Sequence, residues 1–411
     1  MVSYCFYTLV FRILSMTARI GRGGALIVAL LAASELAVAA PHVPKHDSVV
    51  LETLPGKPGD PAGVELRRLR AVAARNPADA ALAAALARRY FERAMAQGDP
   101  RYLGYAQAAL RAWPDNAAAS AEILLLHGML RQARHDFAGG IRALEQALKA
   151  DPANIEAHAW LAAIRMVQAD YPAARRECEL LAENATELQA TACTAYVDAT
   201  TGRARAAYAR LNEALARRAG VEPGFAVWIQ TRLAEMAWRY GDPALAERHF
   251  RRGLALGIDD NFLLAAYADF LLERGRPAEV MTLLRDWARS DTLLLRLALA
   301  ARRLKLAEGE KYVRTLGERF ADAALRGEKL HLQEESRYLL ELEGDARAAL
   351  AAARDNYRTQ REPRDALTLI EAALAARDPA AAAPAIEWLE SSRYEGARLR
   401  DAASNLKALK P

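Results

Sequence analysis

The chain has 411 residues, of which 53% are hydrophobic and 26% are charged, and its formal net charge is +5. This composition is typical of a globular protein with a large core, and so small a charge on so long a chain argues against nucleic-acid binding. Alanine dominates the apolar residues, whereas aromatic residues contribute only 7%. Because alanine is the best helix former, the composition favours an all-α fold.

The N-terminus has the layout of a secretory signal peptide. Arg19 and Arg22 precede a short apolar run at 25–33, and the small residues Ala37-Val38-Ala39 follow it. A positive region, an apolar region and an A-x-A site in this order predict cleavage before Ala40. We therefore expect a protein exported to the periplasm, with secretion beyond it as the alternative.

Two features of this signal peptide have alternatives. It spans residues 1–39 if translation starts at Met1, but Arg12 interrupts the segment before Met16, which is an alternative start. The apolar run is short for a membrane span, so an uncleaved anchor is less favoured, and we expect no stable membrane insertion after cleavage. The heavy use of alanine and arginine is typical of a GC-rich bacterial genome.

Residues 40–63 contain five prolines and several glycines. Proline at this density cannot continue a helix, so the segment is predicted to be an extended linker. His42 and His46 lie in it and support a lesser alternative function, metal handling in the periplasm. A tight amino-terminal chelate needs a backbone amide at the second mature residue, and Pro41 has none. The tight chelate is therefore excluded, and loose binding by His42 and His46 stays as the lesser alternative. We expect no defined metal site and no cofactor.

From residue 64 onward, apolar residues recur at helical spacing and are interrupted by short segments rich in Gly, Asp and Pro. The interruptions are about 34 residues apart, which is typical of a helix–turn–helix repeat. An alanine-rich helical bundle is the alternative, but bundles do not place their turns at a constant interval. The interruptions lie at or next to Gly98, His135, Ala169, Gly202, Gly241, Gly275, Gly309, Gly344 and Asp378.

Segment 121–154 shows the residue pattern of one unit. Gly128 is small where the two helices of the unit touch, and Gly140, twelve residues later, is small on the facing helix. Ala147 follows on that same face, and Pro152 begins the next unit. This pattern resembles the tetratricopeptide repeat at nearly every defining position.

The resemblance covers residues 64–410 and is most regular in 121–290. It implies a right-handed α-α superhelical solenoid of helix pairs, in which each unit completes the core of its neighbour. A polar capping helix is expected at 395–409. The small framework residues recur in later units at Ala162, Ala174, Ala234 and Ala246.

The sequence contains no convincing catalytic constellation. The G-x-S-x-G, P-loop, C-x-x-C and H-E-x-x-H motifs are absent. His331 shares a helix face with Glu334 and Glu335, but a second histidine is missing, and a solvated ion-pair face is the simpler interpretation. We therefore expect a protein that is not an enzyme.

Cys178 and Cys193 are the two cysteines beyond the signal peptide. Cys178 falls on the second helix of one unit and Cys193 on the first helix of the next, and such helices pack side by side. In an oxidising compartment the two can form a disulfide, whereas two buried, unpaired cysteines are the alternative.

The resemblance also implies where a partner binds, because the first helix of each tetratricopeptide unit lines the concave face. Aromatic residues beside charges on such a face are typical of interface hot spots, although each can instead belong to the core between units. Glu235 and Arg239 are four residues apart and are expected to pair. The acidic residues favour a basic peptide with an apolar anchor. This predicted groove consists of Trp228, Glu235, Trp238, Arg239, Phe262, Asp269 and Glu273.

Together these features favour a non-enzymatic periplasmic scaffold or adaptor that binds a protein or peptide partner. The alternative is an accessory protein of cell-envelope assembly or polysaccharide export. That alternative is an analogy at the level of the fold.

Overall fold

The structure, a computed structural model, describes residues 46, 60–114, 116 and 119–409. The predicted signal peptide, its alternative start at Met16 and nearly all of the predicted linker lie outside the described residues. Residues from Pro61 onward cluster into one compact unit. Its first helix begins at Pro61, so the last three residues assigned to the linker are helical. A proline fits there because the first turn of a helix needs no N–H donor from it.

The described residues form α-helices and no strand, which is the all-α solenoid of helix pairs predicted from the sequence. From α2 onward, an even-numbered helix is the first helix of a unit, and the following odd-numbered helix packs on it. A π-helical turn at Leu339–Glu343 follows α16, and a 3₁₀ turn at Pro379–Ala382 precedes α19. The helices are α1 Pro61–Arg75, α2 Ala80–Gln97, α3 Arg101–Ala109, α4 Ala121–Ala133, α5 Phe137–Ala150, α6 Ile155–Val167, α7 Tyr171–Ala182, α8 Glu187–Thr200, α9 Ala204–Ala216, α10 Pro223–Arg239, α11 Pro243–Ala255, α12 Asn261–Glu273, α13 Pro277–Leu284, α14 Asp291–Arg303, α15 Glu308–Leu325, α16 Leu332–Tyr338, α17 Ala346–Tyr357, α18 Pro363–Ala376, α19 Ala383–Ser392 and α20 Ala397–Lys407.

The turn inside a unit ends one helix and starts the next. After α4, His135 has a left-handed backbone (φ +61°), and the N–H of Asp136 donates to the Arg131 carbonyl oxygen at 2.9 Å. The Asp136 carboxylate then accepts the Gly139 N–H at the start of α5. A left-handed residue followed by an aspartate cap satisfies free backbone groups on both helices. Left-handed residues also occur at Gly98, Ala169, Gly202, Gly241, Gly275, Lys305, Gly344 and Arg377.

One predicted turn is in a different place. It was predicted at Gly309, but the left-handed residue is Lys305 (φ +56°), and Gly309 lies inside α15. A Cβ added to Gly309 would lie 3.3 Å from the Cβ of Ala301 on α14. Gly309 is therefore small because two helices approach each other there, and not because a turn requires it.

Small residues let the two helices of a unit approach closely. A Cβ added to Gly128 would lie 2.6 Å from Cγ of Leu144, and one added to Gly140 would lie 3.3 Å from the Gly128 carbonyl oxygen. Pro152 is exposed in the turn between α5 and α6. The alanines at the other framework positions are buried: Ala147, Ala162, Ala174, Ala234 and Ala246.

Late units of the array contact early ones, which the spacing of the repeats does not predict. The contacts hold the segments around α18, α19 and α20 against α6, α7 and α9. Each is a hydrogen bond of 2.7 Å, and together we call them the closure contacts. They are Arg361 N–H to the Val167 carbonyl oxygen, the Trp388 indole N–H to the Tyr171 hydroxyl, and Ala204 N–H to the Glu395 carboxylate.

The last described helix, α20, lies within the range 395–409 that was predicted for a capping helix. It packs against α18, where Arg398 pairs with Glu371 at 2.8 Å. Leu399 is buried in the same contact region. Within the described part of the chain, every helix is too short or too polar to cross a membrane.

Candidate functional site

Most of the predicted groove surrounds one small cavity. This inner cavity, about 240 Å³ in volume, is lined by α10 and α12 together with residues from α14, α16, α18 and α20. Trp228 is the exception and lines an adjoining, larger groove, which shares Phe262 with the inner cavity. The predicted residues on the inner cavity are Glu235, Trp238, Arg239, Phe262, Asp269 and Glu273.

Asp269 is held by two arginines from later units. Its carboxylate accepts from Arg296 at 2.6 Å and from Arg337 at 3.0 Å. Burial alone would raise the pKa of Asp269, but the attraction of the two guanidinium groups outweighs it and holds the pKa well below its ordinary value. Asp269 is therefore ionised and already paired within the chain.

Glu235 and Arg239 do not form the pair expected from their spacing. Glu235 pairs instead with Arg232 at 2.8 Å, one helical turn earlier. Arg239 donates to the Ala199 carbonyl oxygen at 3.3 Å and lies 4.8 Å from the centroid of the Tyr394 ring. The expectation fails because residues distant in sequence offer Arg239 a carbonyl acceptor and an aromatic face.

The indole N–H of Trp238 also has a hydrogen-bond partner within the chain. Its indole N–H donates to Glu273 at 3.1 Å, and its ring meets Phe270 edge-on at 5.3 Å between centroids. Arg398 lies 3.8 Å from the Glu273 carboxylate. The acidic residues that were expected to attract a basic peptide are thus engaged by neighbours within the array.

A larger groove lies on the first helices of the preceding units. The open groove, about 930 Å³ in volume, is lined mainly by α6, α8 and α10. Phe225 stacks on Trp228 at 6.0 Å, Tyr196 meets Trp228 edge-on at 6.1 Å, and Trp160 meets Phe91 at 5.7 Å. Half-buried aromatic residues of this kind are common anchors of protein interfaces. Further apolar lining comes from Met95, Phe137, Ile155, Ala159, Ala163, Met166 and Val167.

One end of the open groove is polar. The Arg232 guanidinium lies 4.3 Å from the ring centroid of Tyr196 and 4.5 Å from that of Phe262. The Tyr196 hydroxyl donates to Glu362 at 3.2 Å. Burial alone would raise the pKa of Glu362, but Arg364 and Arg232 hold it below its ordinary value. This end therefore contains charges of both signs that compensate one another.

The rest of the open groove carries little free charge. Glu156 pairs with Arg88 at 2.9 Å and accepts the Trp160 indole N–H at 3.4 Å. Burial, helped by the positive charge of Arg364, lowers the pKa of His135 to about 4, so this side chain is neutral near pH 7. Apolar walls and compensated charges suit an apolar, weakly charged segment better than a basic one.

A disulfide joins Cys178 of α7 to Cys193 of α8, with 5.5 Å between the Cα atoms. Both residues line the open groove. The sequence left open whether the two cysteines form a disulfide or stay unpaired, and the structure contains the disulfide. The bond closes a loop with a sequence separation of 15. Such a bond contributes about 3 kcal/mol by constraining the unfolded chain.

The structure describes only some of the histidines discussed from the sequence. His46 is exposed, and His42 lies outside the described residues. In 60–114 and 119–409, no group of three or more His, Cys, Asp or Glu side chains is placed to hold a metal. The face of His331 is not the solvated one expected, because Glu334 is buried and lies 3.8 Å from Arg296.

Trp160 and Phe225 line the open groove but are not among the residues predicted from the sequence to bind a partner. Both lie on first helices, as Trp228 does, so the same argument about the concave face could have found them. They were missed because the predicted groove was confined to the units spanning 227–290. The acidic residues that favoured those units take part in internal ion pairs in the structure.

No protein-family model matches the chain, and no curated protein matches it. Among solved structures, yeast Tom70 is similar at 12% identity with a TM-score of 0.41, over 84% of this chain and 78% of that one. The TPR domain of P58(IPK) has 13% identity and a TM-score of 0.21, over 84% of this chain and 97% of that one. Naa15/Naa10 bound to HypK-THB has 13% identity and a TM-score of 0.24, over 84% of this chain and 63% of that one.

These likenesses concern the fold alone. The class follows from the chain's own features, namely repeated helix pairs, turns with a left-handed residue and an aspartate cap, and small residues where helices touch. The chain is an all-α helical solenoid of repeated helix pairs that resemble tetratricopeptide units.

Proposed function

We propose that the chain is a non-enzymatic scaffold that binds an apolar segment of a protein partner in the open groove. The observation that carries this proposal is the groove itself, with a volume of about 930 Å³ and half-buried aromatic residues on its walls. Binding sites of this size are usually apolar, with a few polar groups that fix the orientation of the ligand. Arg232 and Tyr196 are such groups here, at one end of the groove.

We also propose that this scaffold acts in the periplasm after export. The support is the signal-peptide pattern of residues 1–39. A disulfide between Cys178 and Cys193 fits that compartment, because disulfides persist where the environment is oxidising.

The alternative role, in cell-envelope assembly or polysaccharide export, would use the same scaffold to bind either a protein of that machinery or a glycan. The lining of the open groove favours a protein segment over a glycan. Its walls at Trp160, Met166 and Phe225 offer apolar surface. A hydroxyl-rich glycan would leave many of its polar groups unpaired against that surface.

Site-specific photo-cross-linking tests the binding proposal. A photoreactive phenylalanine analogue replaces Ala159, which is exposed on the wall of the open groove. The control replaces Ala209, which is exposed on α9, a second helix. In cells that produce the full-length protein, position 159 should give a cross-linked partner that position 209 does not give. Trp228→Ala should remove this product.

Two results would contradict the proposal. One is the same cross-linked products from positions 159 and 209. The other is a product at 159 that persists in the Trp228→Ala variant while the protein remains folded.

A further inference from the structure

Three arginines converge on one buried aspartate where α7, α8 and α9 meet. The Asp198 side chain is only 5% exposed. Its Oδ1 contacts Arg175 and Arg203, the latter at 2.6 Å, and its Oδ2 contacts Arg210. Because one carboxylate anchors all three side chains, their guanidinium groups are held close together.

This cluster carries more positive charge than its aspartate needs. One guanidinium neutralises one carboxylate, so three arginines leave two surplus positive charges. Arg203 and Arg210 keep 57% and 53% of their side-chain surface exposed. Each guanidinium has five N–H donors, and the contact with Asp198 uses only part of them. The exposed side of the cluster therefore presents hydrogen-bond donors together with net positive charge.

Another aspartate that binds arginines has no such surplus of positive charge around it. Asp269 also contacts two arginines, Arg296 and Arg337. There, however, Glu341 pairs with Arg337 at 2.9 Å, and Glu334 lies 3.8 Å from Arg296. Two arginines face three carboxylates at that cluster, so no positive charge is left over.

The described neighbours of the Asp198 cluster do not remove its surplus. Glu395 is close, but its carboxylate accepts the Ala204 N–H at 2.7 Å and so caps α9. Arg393 lies beside the same turn, since a Cβ added to Gly202 would be 2.9 Å from the Arg393 Cβ. Arg393 and Glu395 add one charge of each sign to the surroundings of this turn, so the count of two surplus positive charges is unchanged.

We propose that Arg175, Arg203 and Arg210 form a binding site for a phosphate or sulfate ester group. Guanidinium groups match the geometry of such oxyanions and form strong, charge-assisted hydrogen bonds with them. A phosphate monoester carries close to two negative charges near pH 7, which equals the surplus of the cluster. None of the three arginines lines the open groove, so this site is independent of the proposed protein-binding function.

Calorimetric titration of the full chain with inorganic phosphate tests the site. Arg203→Gln/Arg210→Gln removes the two most exposed guanidinium groups and leaves Arg175 to neutralise Asp198. The matched control is Arg217→Gln/Arg251→Gln, because these arginines are 53% and 62% exposed and belong to other clusters. Circular dichroism melting confirms that each variant is folded.

We expect saturable binding at one site in the wild type and in the control, and binding weakened about tenfold or more in the test variant. If the test variant does not fold, Arg203→Lys replaces it, because lysine keeps the positive charge but lacks the planar guanidinium group with its paired N–H donors. This variant should also bind phosphate more weakly than the wild type. O-phosphoserine and glucose 6-sulfate, titrated in parallel, distinguish a protein source of the ester from a glycan source. Absence of saturation in the wild type, or equal weakening in both double variants, would overturn the proposal.

Discussion

The Arg361 N–H donates a 2.7 Å hydrogen bond to the Val167 carbonyl oxygen, and this closure contact holds the segment before α18 against the end of α6. Two adjoining cavities lie in the array, and both are lined by Arg232 and Phe262. The inner cavity is lined by first helices of central units and by residues of the last units, whose arginines neutralise its carboxylates. The open groove lies on earlier units and keeps its aromatic surface accessible.

The close approach between distant units can be tested at two left-handed glycines. A Cβ added to Gly98 would lie 2.5 Å from Ser290 Oγ and 2.6 Å from Asn261 Oδ1, whereas one added to Gly275 meets no described atom within 4 Å. Their φ values are similar, +61° and +70°, so alanine causes similar backbone strain at both. We expect Gly98→Ala to cost about 1–3 kcal/mol more than Gly275→Ala, because only the former is overpacked.

Urea unfolding of the two variants measures this difference. Equal losses of stability would mean that the end of α2 does not pack against the unit that begins at α12.

The close contact inside one unit gives a second prediction. Gly140→Leu should strongly destabilise the protein, because the added side chain meets the Gly128 backbone and Ile164. Gly104 is a matched control, since it is also helical and a Cβ there meets no described atom within 4 Å. Gly104→Leu should be neutral or slightly stabilising, as leucine is the better helix former. Thermal melting compares the two, and similar melting temperatures would contradict the role of Gly140.

Local features of the sequence were enough to predict the helix pairs. A left-handed residue and an aspartate cap are adjacent in sequence, as at Ala169 and Asp170, so their recurrence can be counted. Gly309 shows the limit of this method, because a glycine required by a helix contact looks the same as one required by a turn.

The candidate site was harder to predict because it depends on distant contacts. Trp228 was selected and does line the open groove, but Asp269 and Glu273 were interpreted as free acidic residues. Their partners Arg337 and Arg398 come from later units. Which late unit reaches which early one depends on small rotations that accumulate from unit to unit. The spacing of residues within one unit does not determine the accumulated rotation, so it does not predict which distant units come into contact.

The buried carboxyl group of Asp365 predicts an unusual pH dependence. Burial raises its pKa to about 7, so between about pH 4 and about pH 7 the folded state binds this proton more tightly than the unfolded chain. This group therefore makes stability fall as pH rises through that window. Asp365→Asn stays neutral and can still accept the Glu362 N–H. Relative to the wild type, the variant should gain stability between about pH 4.5 and about pH 8, by at most about 1.4 kcal/mol per pH unit.

Urea unfolding of the wild type and of Asp365→Asn at about pH 4.5 and about pH 8 separates this effect from that of other titrating groups, because those groups are the same in both proteins. A variant that loses stability relative to the wild type as pH rises would show that the ionised form of Asp365 is the favoured one.

The disulfide that joins two walls of the open groove gives a fourth prediction. Reduction of the Cys178–Cys193 bond should lower the free energy of unfolding by about 3 kcal/mol, since the unfolded chain gains freedom. Melting with and without dithiothreitol measures the loss. The Cys178→Ala/Cys193→Ala variant is the control and should not respond to the reductant. A wild type that melts at the same temperature in both conditions would contradict the prediction.

The most direct test of the account is the affinity of the partner captured from position 159 for three tryptophan variants. Trp160→Ala and Trp228→Ala alter the open groove, whereas Trp238→Ala alters the inner cavity. Each groove variant should lose about 2 kcal/mol or more of binding free energy, as expected for interface anchors. Trp238→Ala should lower the melting temperature, while its folded fraction binds the partner normally. Normal binding by both groove variants, together with weakened binding by folded Trp238→Ala, would contradict the account.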